Sequence, residues 1–433
     1  MKNLKDILGN LDFIKSNTLV DLEIIPFKKA TDWLFDPVSQ NYRHKKSNFF
    51  SIDGIKVSTN SKHIENWEQP IINQNEVGIL GILVKFFNGI PYLLMQAKIE
   101  PGNINYVQVS PTLQATRSNF TRKHMGKAPL YLDYFLNMKG NIIVDQLQSE
   151  QGARFRKKRN RNMVIEIKEE IKIHDNFFWV TIDQLMSLFE LDNTVNMDTR
   201  SVLSQFLFFN NNHSEDNFHL NEFKDIVHWI TNLKFKYYLK IQDIPINSIS
   251  HWKIDEYKIY HTSNKFFEVL PVKVNIEGRE VSKWNQPMIK ALEPGICAII
   301  IKKINDVYHL LLQGKVECGN FDIVEIAPTV QCLTGSYNTK ESDKLPYLSY
   351  VLNCSKENII YDVMQSEEGG RFYKEQNRNM IIEAVDSFSL DIPENFIWIS
   401  LKQTKALILF NNYINIQARS LIAYFVNKEH IYG

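Results

Sequence analysis

Asp145-Gln-Leu-Gln-Ser-Glu-Gln-Gly-Ala-Arg-Phe155 returns 217 residues later as Asp362-Val-Met-Gln-Ser-Glu-Glu-Gly-Gly-Arg-Phe372, and each stretch runs on to an Asn-Arg-Asn-Met, at 160–163 and 377–380. Working outward, the same order of blocks appears twice. Ile25-Pro26 to Trp33 matches Ile244-Pro245 to Trp252. Trp67, Gln69 and Pro70 match Trp284, Gln286 and Pro287. The apolar runs beginning at Gly78 and Tyr92 match those beginning at Gly295 and His309. Glu100-Pro-Gly-Asn103 matches Glu317-Cys-Gly-Asn320, and Val107–Gln114 matches Val324–Gln331. Spacing kept over most of each half is an internal duplication, and its period is far too long for a solenoid. The copies run from about Ile24 to Phe208 and from about Ile244 to Phe425.

Each copy reads as α+β. The runs 78–87 and 91–98, joined by Asn88-Gly89, form a hairpin. A helix is expected near Pro129–Leu136, a buried strand at Met163–Ile167 after the basic loop, and two short helices near 182–190 and 198–208. The polar run Asn210–Asn217 is a linker. Beyond it, apolar residues at helical spacing (Leu220, Phe223, Ile226, Val227, Ile230, Leu233) predict a helix joining the copies. The expected division is residues 1–210, a linker and connecting helix at 211–240, and 241–433. A chain of 433 residues has room for two domains, each with its own core.

Composition narrows the function. Lys+Arg is 50 and Asp+Glu is 49, so no global field draws the chain to nucleic acid or anionic lipid. The four cysteines (297, 318, 332, 354) form no CxxC pair, which fits a reducing compartment. The N-terminus has no signal-peptide run, and the apolar stretches are strand-length. A cytoplasmic protein without membrane association is expected. The histidines show no HxH or HExxH spacing, so no metal is expected. Walker, dinucleotide and nucleophile-elbow motifs are absent.

The polar residues that recur mark a shared pocket or its frame. Gln96, Lys98, Gln108 and Gln114 lie on or beside apolar strands, where unpaired polar groups are costly. They are read as ligand-facing or structural. Their second-copy partners include Gln313, Lys315 and Gln331, and the Gln-Ser-Glu block adds Gln148 and Gln365. Thr116, Arg117, Ser118, Asn119 and Arg122 form a donor cluster suited to a phosphate or diphosphate, or else a solvated loop. The basic run 154–161 is matched at Arg371, Lys374 and Arg378, with Gln376 in the place of Arg159. Fixed spacing favours anion-binding or interface roles for Arg154, Lys157 and Arg161, with Arg371 and Arg378 as counterparts, over a nucleic-acid patch. Trp67 and Trp284 are either base-stacking faces or core residues.

The Val107–Arg122 stretch, the Gln-Ala-Lys-x-Glu-Pro-Gly-Asn block at 96–103 and the Gln-Ser-Glu blocks at 148 and 365 resemble the NDP-hexose 2,3-dehydratase family. The resemblance covers nearly the whole chain. It implies tandem Nudix-like α/β/α domains without the paired-glutamate Mg²⁺ box, a homodimer, and dTDP-4-keto-6-deoxy-D-glucose as substrate. It also implies no bound cofactor and a downstream 3-ketoreductase, because the expected diketo product is unstable. Candidate acids and bases are Glu100 and Glu317, which follow matching strands, Glu325, which replaces Gln108, and the matching phenols Tyr131 and Tyr347. Two rivals stay open: a non-catalytic nucleotide-sugar binder, and a nucleic-acid binder using the 154–161 run.

Overall fold

A computed structural model describes residues 3–46, 49–61, 65–117, 128–208, 219–277, 281–332, 345–428 and 432. The two copies are β-rich and each is built on a seven-stranded sheet. In the first, the strands Asn141–Ser149, Arg159–Glu166, Gly78–Phe87, Ile90–Ile99 and Phe177–Thr181 lie side by side in that order. Short strands at Val107–Ser110 and Leu113–Ala115 pair with Ile90–Ile99 and Gly78–Phe87. The second sheet repeats this with Ile359–Ser366, Gln376–Glu383, Gly295–Ile304, Val307–Val316 and Phe396–Ser400. The expected hairpin is present. Asn88 (φ 50°) and Gly89 (φ 80°) turn it, and the left-handed backbone at both positions matches strand twist. One difference is that Arg159–Glu166 is strand from its start and pairs in parallel with Gly78–Phe87. The basic stretch before Met163 therefore ends inside the sheet, where the buried Asn160 and Asn162 donate to Glu150 and Ser201.

The central strands read as continuous apolar runs because both faces are covered. Leu80, Ile82 and Val84 point one way, into a large central core; Ile79 and Leu83 point the other way, onto Leu132 and Phe135 of the helix Leu132–Leu136. The central core also contains Ile299, Ile301, Leu310 and Leu312 of the second copy. The copies thus share one main core instead of each closing its own, because the faces that would be exposed on a separated copy are buried against each other. Two buried arginines brace this contact. Arg200 Nη2 donates to the Ser366 carbonyl (2.6 Å), and Arg419 Nη2 donates to the Ser149 carbonyl (2.6 Å).

Helices fall close to the expected positions. Ile182–Phe189 begins at a capping box of Thr181 and Gln184, and Met197–Leu203 is capped by Asn196. Their second-copy equivalents, Leu401–Ile408 and Ile416–Ile422, begin at Ser400 and Asn415. The helix Leu4–Ser16 buries Ile7 and Leu11 in the central core; Phe223–Lys236 buries Ile226, Ile230 and Leu233 there. The expected connecting helix therefore takes, for the second copy, the place that Leu4–Ser16 takes for the first. The 210–217 linker lies outside the described residues.

Each copy also has a smaller five-stranded sheet, and here strands are exchanged. Val20–Ile24 of the first copy pairs with Phe267–Ile276 of the second, Val20 opposite Ile276. Leu239–Ile244 pairs with Ser51–Thr59 of the first, Leu239 opposite Thr59. The small sheets meet over a second core containing Trp33, Phe50, Phe155, Phe267 and Phe372. Among the described residues, no helix is long and apolar enough to cross a membrane.

Candidate functional site

The two most strongly repeated blocks meet, but across copies. The turn after the Gln-x-Lys strand of one copy docks on the Gly-rich loop of the other. Gly102 N–H donates to the Gly369 carbonyl, and Lys374 N–H donates to the Gly102 carbonyl, each at 2.7 Å. In the reciprocal contact Gly319 N–H donates to Gly152 (2.7 Å) and Lys157 N–H to Gly319 (2.8 Å). A Cβ on Gly102 would lie 1.6 Å from the Phe372 oxygen, and one on Gly319 would lie 1.7 Å from the Phe155 oxygen. Only glycine permits this approach. Within each copy the Trp-x-Gln strand holds the same loop: Gln69 Nε2 donates to Ala153 O (3.0 Å) and Gln286 Nε2 to Gly370 O (2.6 Å). Two composite cavities result.

The first has a volume of about 1080 Å³. The first copy supplies Gln96, Lys98, Glu100, Gln114, Thr116, Glu150, Lys158 and Asp198; the second supplies Trp284, Gln286, Glu368 and Arg371. Gln96, Lys98 and Glu100 alternate along the chain and so present to one face. Lys98 Nζ lies 3.1 Å from Glu100 Oε1, which also accepts from Gln114 Nε2 at 2.9 Å. Gln114 Oε1 in turn accepts from Ser110 Oγ (3.1 Å) and Asn196 Nδ2 (3.2 Å). Glu150 Oε2 accepts from Asn160 Nδ2 (2.9 Å), and Lys158 Nζ donates to the Glu76 carbonyl (2.5 Å). Arg371 lies 4.1 Å over the Phe50 ring. Buried carboxylates repel one another here. Burial, with Glu368 adding, pushes Glu150 up to about 7. Burial, then Glu150, Glu368 and Glu100, hold Asp198 well above the ordinary range. Burial and Glu100 raise Glu368, and burial lowers Lys158.

The second cavity, about 840 Å³, has the same plan. The second copy supplies Gln313, Lys315, Glu317 and Gln331, and the first supplies Trp67, Gln69 and Arg154. Gln331 Nε2 donates to Glu317 Oε1 (2.9 Å), and Asn415 Nδ2 to Gln331 Oε1 (2.7 Å), so the supporting bonds are kept. The charges are not. Gln417, Gln151 and Glu375 stand where the first cavity has Asp198, Glu368 and Lys158. Burial pushes Glu375 up to about 8. Gln313 Nε2 is occupied by the carbonyls of Pro328 (2.9 Å) and Thr329 (3.1 Å). Arg154 lies 4.3 Å over Phe267, and its Nε and Nη2 have no hydrogen-bond partner among the described residues.

Thirteen of the sequence candidates line a cavity: Trp67, Gln96, Lys98, Glu100, Gln114, Thr116, Arg154, Trp284, Gln313, Lys315, Glu317, Gln331 and Arg371. Others are placed elsewhere. Gln108 and Glu325 face the contact between copies, where Gln108 Nε2 donates to Ser366 Oγ (2.8 Å) and Ser149 Oγ donates to Glu325 Oε2 (2.6 Å). Gln148 and Gln365 lie in the same contact, donating to the carbonyls of Ile408 (2.9 Å) and Phe189 (3.2 Å). Arg161 and Arg378 make bidentate pairs with Asp145 and Asp362 on the neighbouring strands. Tyr131 and Tyr347 pack in the outer cores of the two sheets, with Tyr131 Oη donating to the Lys172 carbonyl (2.7 Å). Arg117 is exposed and lines neither cavity; Ser118, Asn119 and Arg122 lie outside the described residues. Sequence reasoning missed Glu150, Lys158, Asp198 and Glu368. The available signal was a change of charge inside a kept frame: Lys158 against Glu375, Glu368 against Gln151, and Asn196-x-Asp-x-Arg against Asn415-x-Gln-x-Arg. Among the described residues, no group of three His, Cys, Asp or Glu side chains is arranged to hold a metal.

A family model for NDP-hexose 2,3-dehydratase matches residues 5–206 and again 223–425. Three curated relatives carry the name dTDP-4-dehydro-6-deoxy-alpha-D-glucopyranose 2,3-dehydratase. That of Saccharopolyspora spinosa is 43% identical over 422 residues, 92% of this chain and 86% of the relative. That of Streptomyces violaceoruber is 39% identical over 406 residues, 92% and 91% of the two chains. That of Amycolatopsis orientalis is 38% identical over 411 residues, 93% and 86%. The chain belongs to the NDP-hexose 2,3-dehydratase family. Both matched segments begin near the helices Leu4–Ser16 and Phe223–Lys236, so the family unit includes that opening helix.

Proposed function

We propose that this protein is a hydro-lyase of deoxysugar biosynthesis that removes water across C2–C3 of dTDP-4-keto-6-deoxy-D-glucose, and that the first cavity performs the elimination. Family membership supports the reaction. The observation that carries the site is the Lys98–Glu100 pair facing Glu368 and Arg371 of the other copy in one buried chamber. The C4 ketone acidifies the hydrogen at C3. Glu100, paired with Lys98 and supported by Gln114, is the base that takes it. The electron pair moves toward O4, where Lys98 and Gln96 on the same strand face offer donors. Expulsion of the C2 hydroxyl gives an enol that tautomerises to a 2-deoxy-3,4-diketo sugar. Arg371 is placed to meet the diphosphate, and Trp284 offers a stacking face for thymine.

The second cavity is read as a nucleotide-sugar site without elimination, because Gln417 and Gln151 occupy the sequence positions equivalent to Asp198 and Glu368. Each copy is read as a Nudix-like unit, supported by its mixed seven-stranded sheet with helices against it, and the working form as a homodimer. A downstream 3-ketoreductase consumes the unstable product. The test is to incubate purified protein with the 4-keto sugar nucleotide and a 3-ketoreductase; a 2-deoxy product is expected, and unchanged substrate overturns the reading. The rival, a binding protein without activity, is distinguished by thermal stabilisation with dTDP in the absence of turnover.

A further inference from the structure

An elimination that begins with proton removal also needs a proton given. The departing group at C2 is a hydroxyl, and hydroxide leaves poorly, so O2 must be protonated as its bond to carbon breaks. Glu100 is unsuited to that task, because Lys98 at 3.1 Å and the Gln114 amide at 2.9 Å stabilise its ionised form. A second group with the opposite character is required, since acid and base in one site are recognised by environments that separate them.

We propose that Asp198 is the proton donor to the departing C2 hydroxyl in the first cavity. This rests on the elimination assigned above to that cavity. Asp198 lines the chamber, is 3% exposed, and its Oδ1 has no hydrogen-bond partner among the described residues. The charged groups acting on it are Glu150, Glu368 and Glu100, with Lys98 opposing them; Asp32, Glu76, Lys158 and Arg371 also line the chamber. Burial first, then the three carboxylates, keep a proton on Asp198 against the opposing Lys98 and the buried Arg200 on its own helix, the state a donor needs. The duplication supplies the control. Asn196 and Asn415 cap equivalent helices, Arg200 and Arg419 brace equivalent carbonyls, and Ser201 and Ser420 follow in both. Within that kept frame two polar positions change: Thr199, whose hydroxyl is bound to the Val109 carbonyl (3.1 Å), becomes Ala418, and Asp198, which lines the chamber, becomes Gln417, an amide with no acid proton to give. The buried Oδ1 of Asp198 is not tied up by a partner among the described residues, so a proton there is not committed to a protein acceptor.

The proton balance closes. Glu100 takes the proton from C3, the C3–H electrons form the C2=C3 double bond through the enolate, and the C2–O electrons leave on oxygen. Asp198 protonates that oxygen, and water departs. One proton then returns from Glu100 to Asp198 within the cluster, which restores both groups.

The experiment follows C3 hydrogen exchange and turnover together in D₂O. Asp198→Asn is expected to lower kcat for the 4-keto sugar nucleotide by ~100-fold or more, while dTDP binding stays within about twofold. The recovered substrate should carry deuterium at C3, because the base still works. The 2-fluoro-2-deoxy analogue, whose fluoride leaves without a donated proton, should be processed by Asp198→Asn within about tenfold of the parent protein, whereas Glu100→Gln should fail on both substrates. Asp198→Glu should regain part of the lost rate, and it replaces Asp198→Asn if that variant does not fold. Loss of exchange and of fluoride release alongside intact dTDP binding overturns the donor role, as does an undiminished kcat. Parent protein that neither exchanges C3 hydrogen nor eliminates fails the assignment of the reaction itself, a separate result.

Discussion

The two cavities share a frame and differ in charge. Both have a Gln-x-Lys-x-Glu strand, a supporting glutamine and asparagine, and an arginine and tryptophan delivered by the other copy. The first adds Asp198, Glu368 and Lys158; the second has Gln417, Gln151 and Glu375 there. The kept residues both hold the interlocked chain together and line the cavities, and the changes at Asp198, Glu368 and Lys158 alter the charge of the first chamber. The second copy therefore serves as a built-in control for any role given to the first.

The sharpest way to break the comparison is to make one change in both cavities. Glu100→Gln is expected to cut kcat by ~1000-fold, within the usual range for loss of a general base. Glu317→Gln is expected to leave kcat within about twofold. Steady-state rates with the coupled reductase decide this, and equal losses would mean that both cavities catalyse. The shared frame should respond the other way. Gly102→Ala and Gly319→Ala each force a methyl onto a carbonyl oxygen of the opposite copy and should each cost about 3 kcal/mol of stability, as overpacking does. Thermal unfolding measures it. A large loss at one glycine alone would mean that the cross-copy docking is not symmetric.

A smaller effect is expected for the arginines. Arg371→Ala should raise KM about tenfold with kcat held, the loss of one charged contact to diphosphate. Arg154→Ala should leave KM unchanged and reduce dTDP stoichiometry from two sites to one. Calorimetric titration beside kinetics checks both halves. Unchanged stoichiometry would remove Arg154 from nucleotide binding.

Much of the frame was legible because periodicity and repetition act locally. The Asn88-Gly89 hairpin and the capped helices follow from short-range patterns, and the duplication follows from spacing. The exchange of Val20–Ile24 and Leu239–Ile244 was not legible, since either copy's arm satisfies the same edge and only the global path chooses. For the same reason Trp284 and Arg371 could be named as ligand-facing but not assigned to the first copy's chamber. Gln108 and Glu325 show the converse limit. A polar residue on an apolar strand signals a buried partner, but that partner can be a serine across an internal interface as readily as a ligand. Asp198 was missed because the two copies were not compared along this helix, where two polar positions differ after a kept cap.

That interface pair gives the last test. Glu325 is 1% exposed, and burial pushes it up to about 7, against the lowering influence of the Ser149 hydrogen bond and Arg419. An acid with a folded value above its unfolded one favours the folded state fully below the unfolded value, and that contribution is lost as pH rises through about 7. At pH 8 the ionised carboxylate sits in the core between copies. The first copy shows the neutral solution, in which Gln108 Nε2 donates to Ser366 Oγ. Glu325→Gln can make the equivalent bond to Ser149 Oγ. It should therefore gain about 1 kcal/mol at pH 8 and nothing near pH 4.5, where Glu325 is already protonated. Melting curves of the variant and parent at the two pH values measure the difference. Glu150, Glu367 and Glu375 are also raised, so the variant should keep a residual fall in stability toward alkaline pH. A gain equal at both pH values would mean that packing, not charge, distinguishes Gln108 from Glu325.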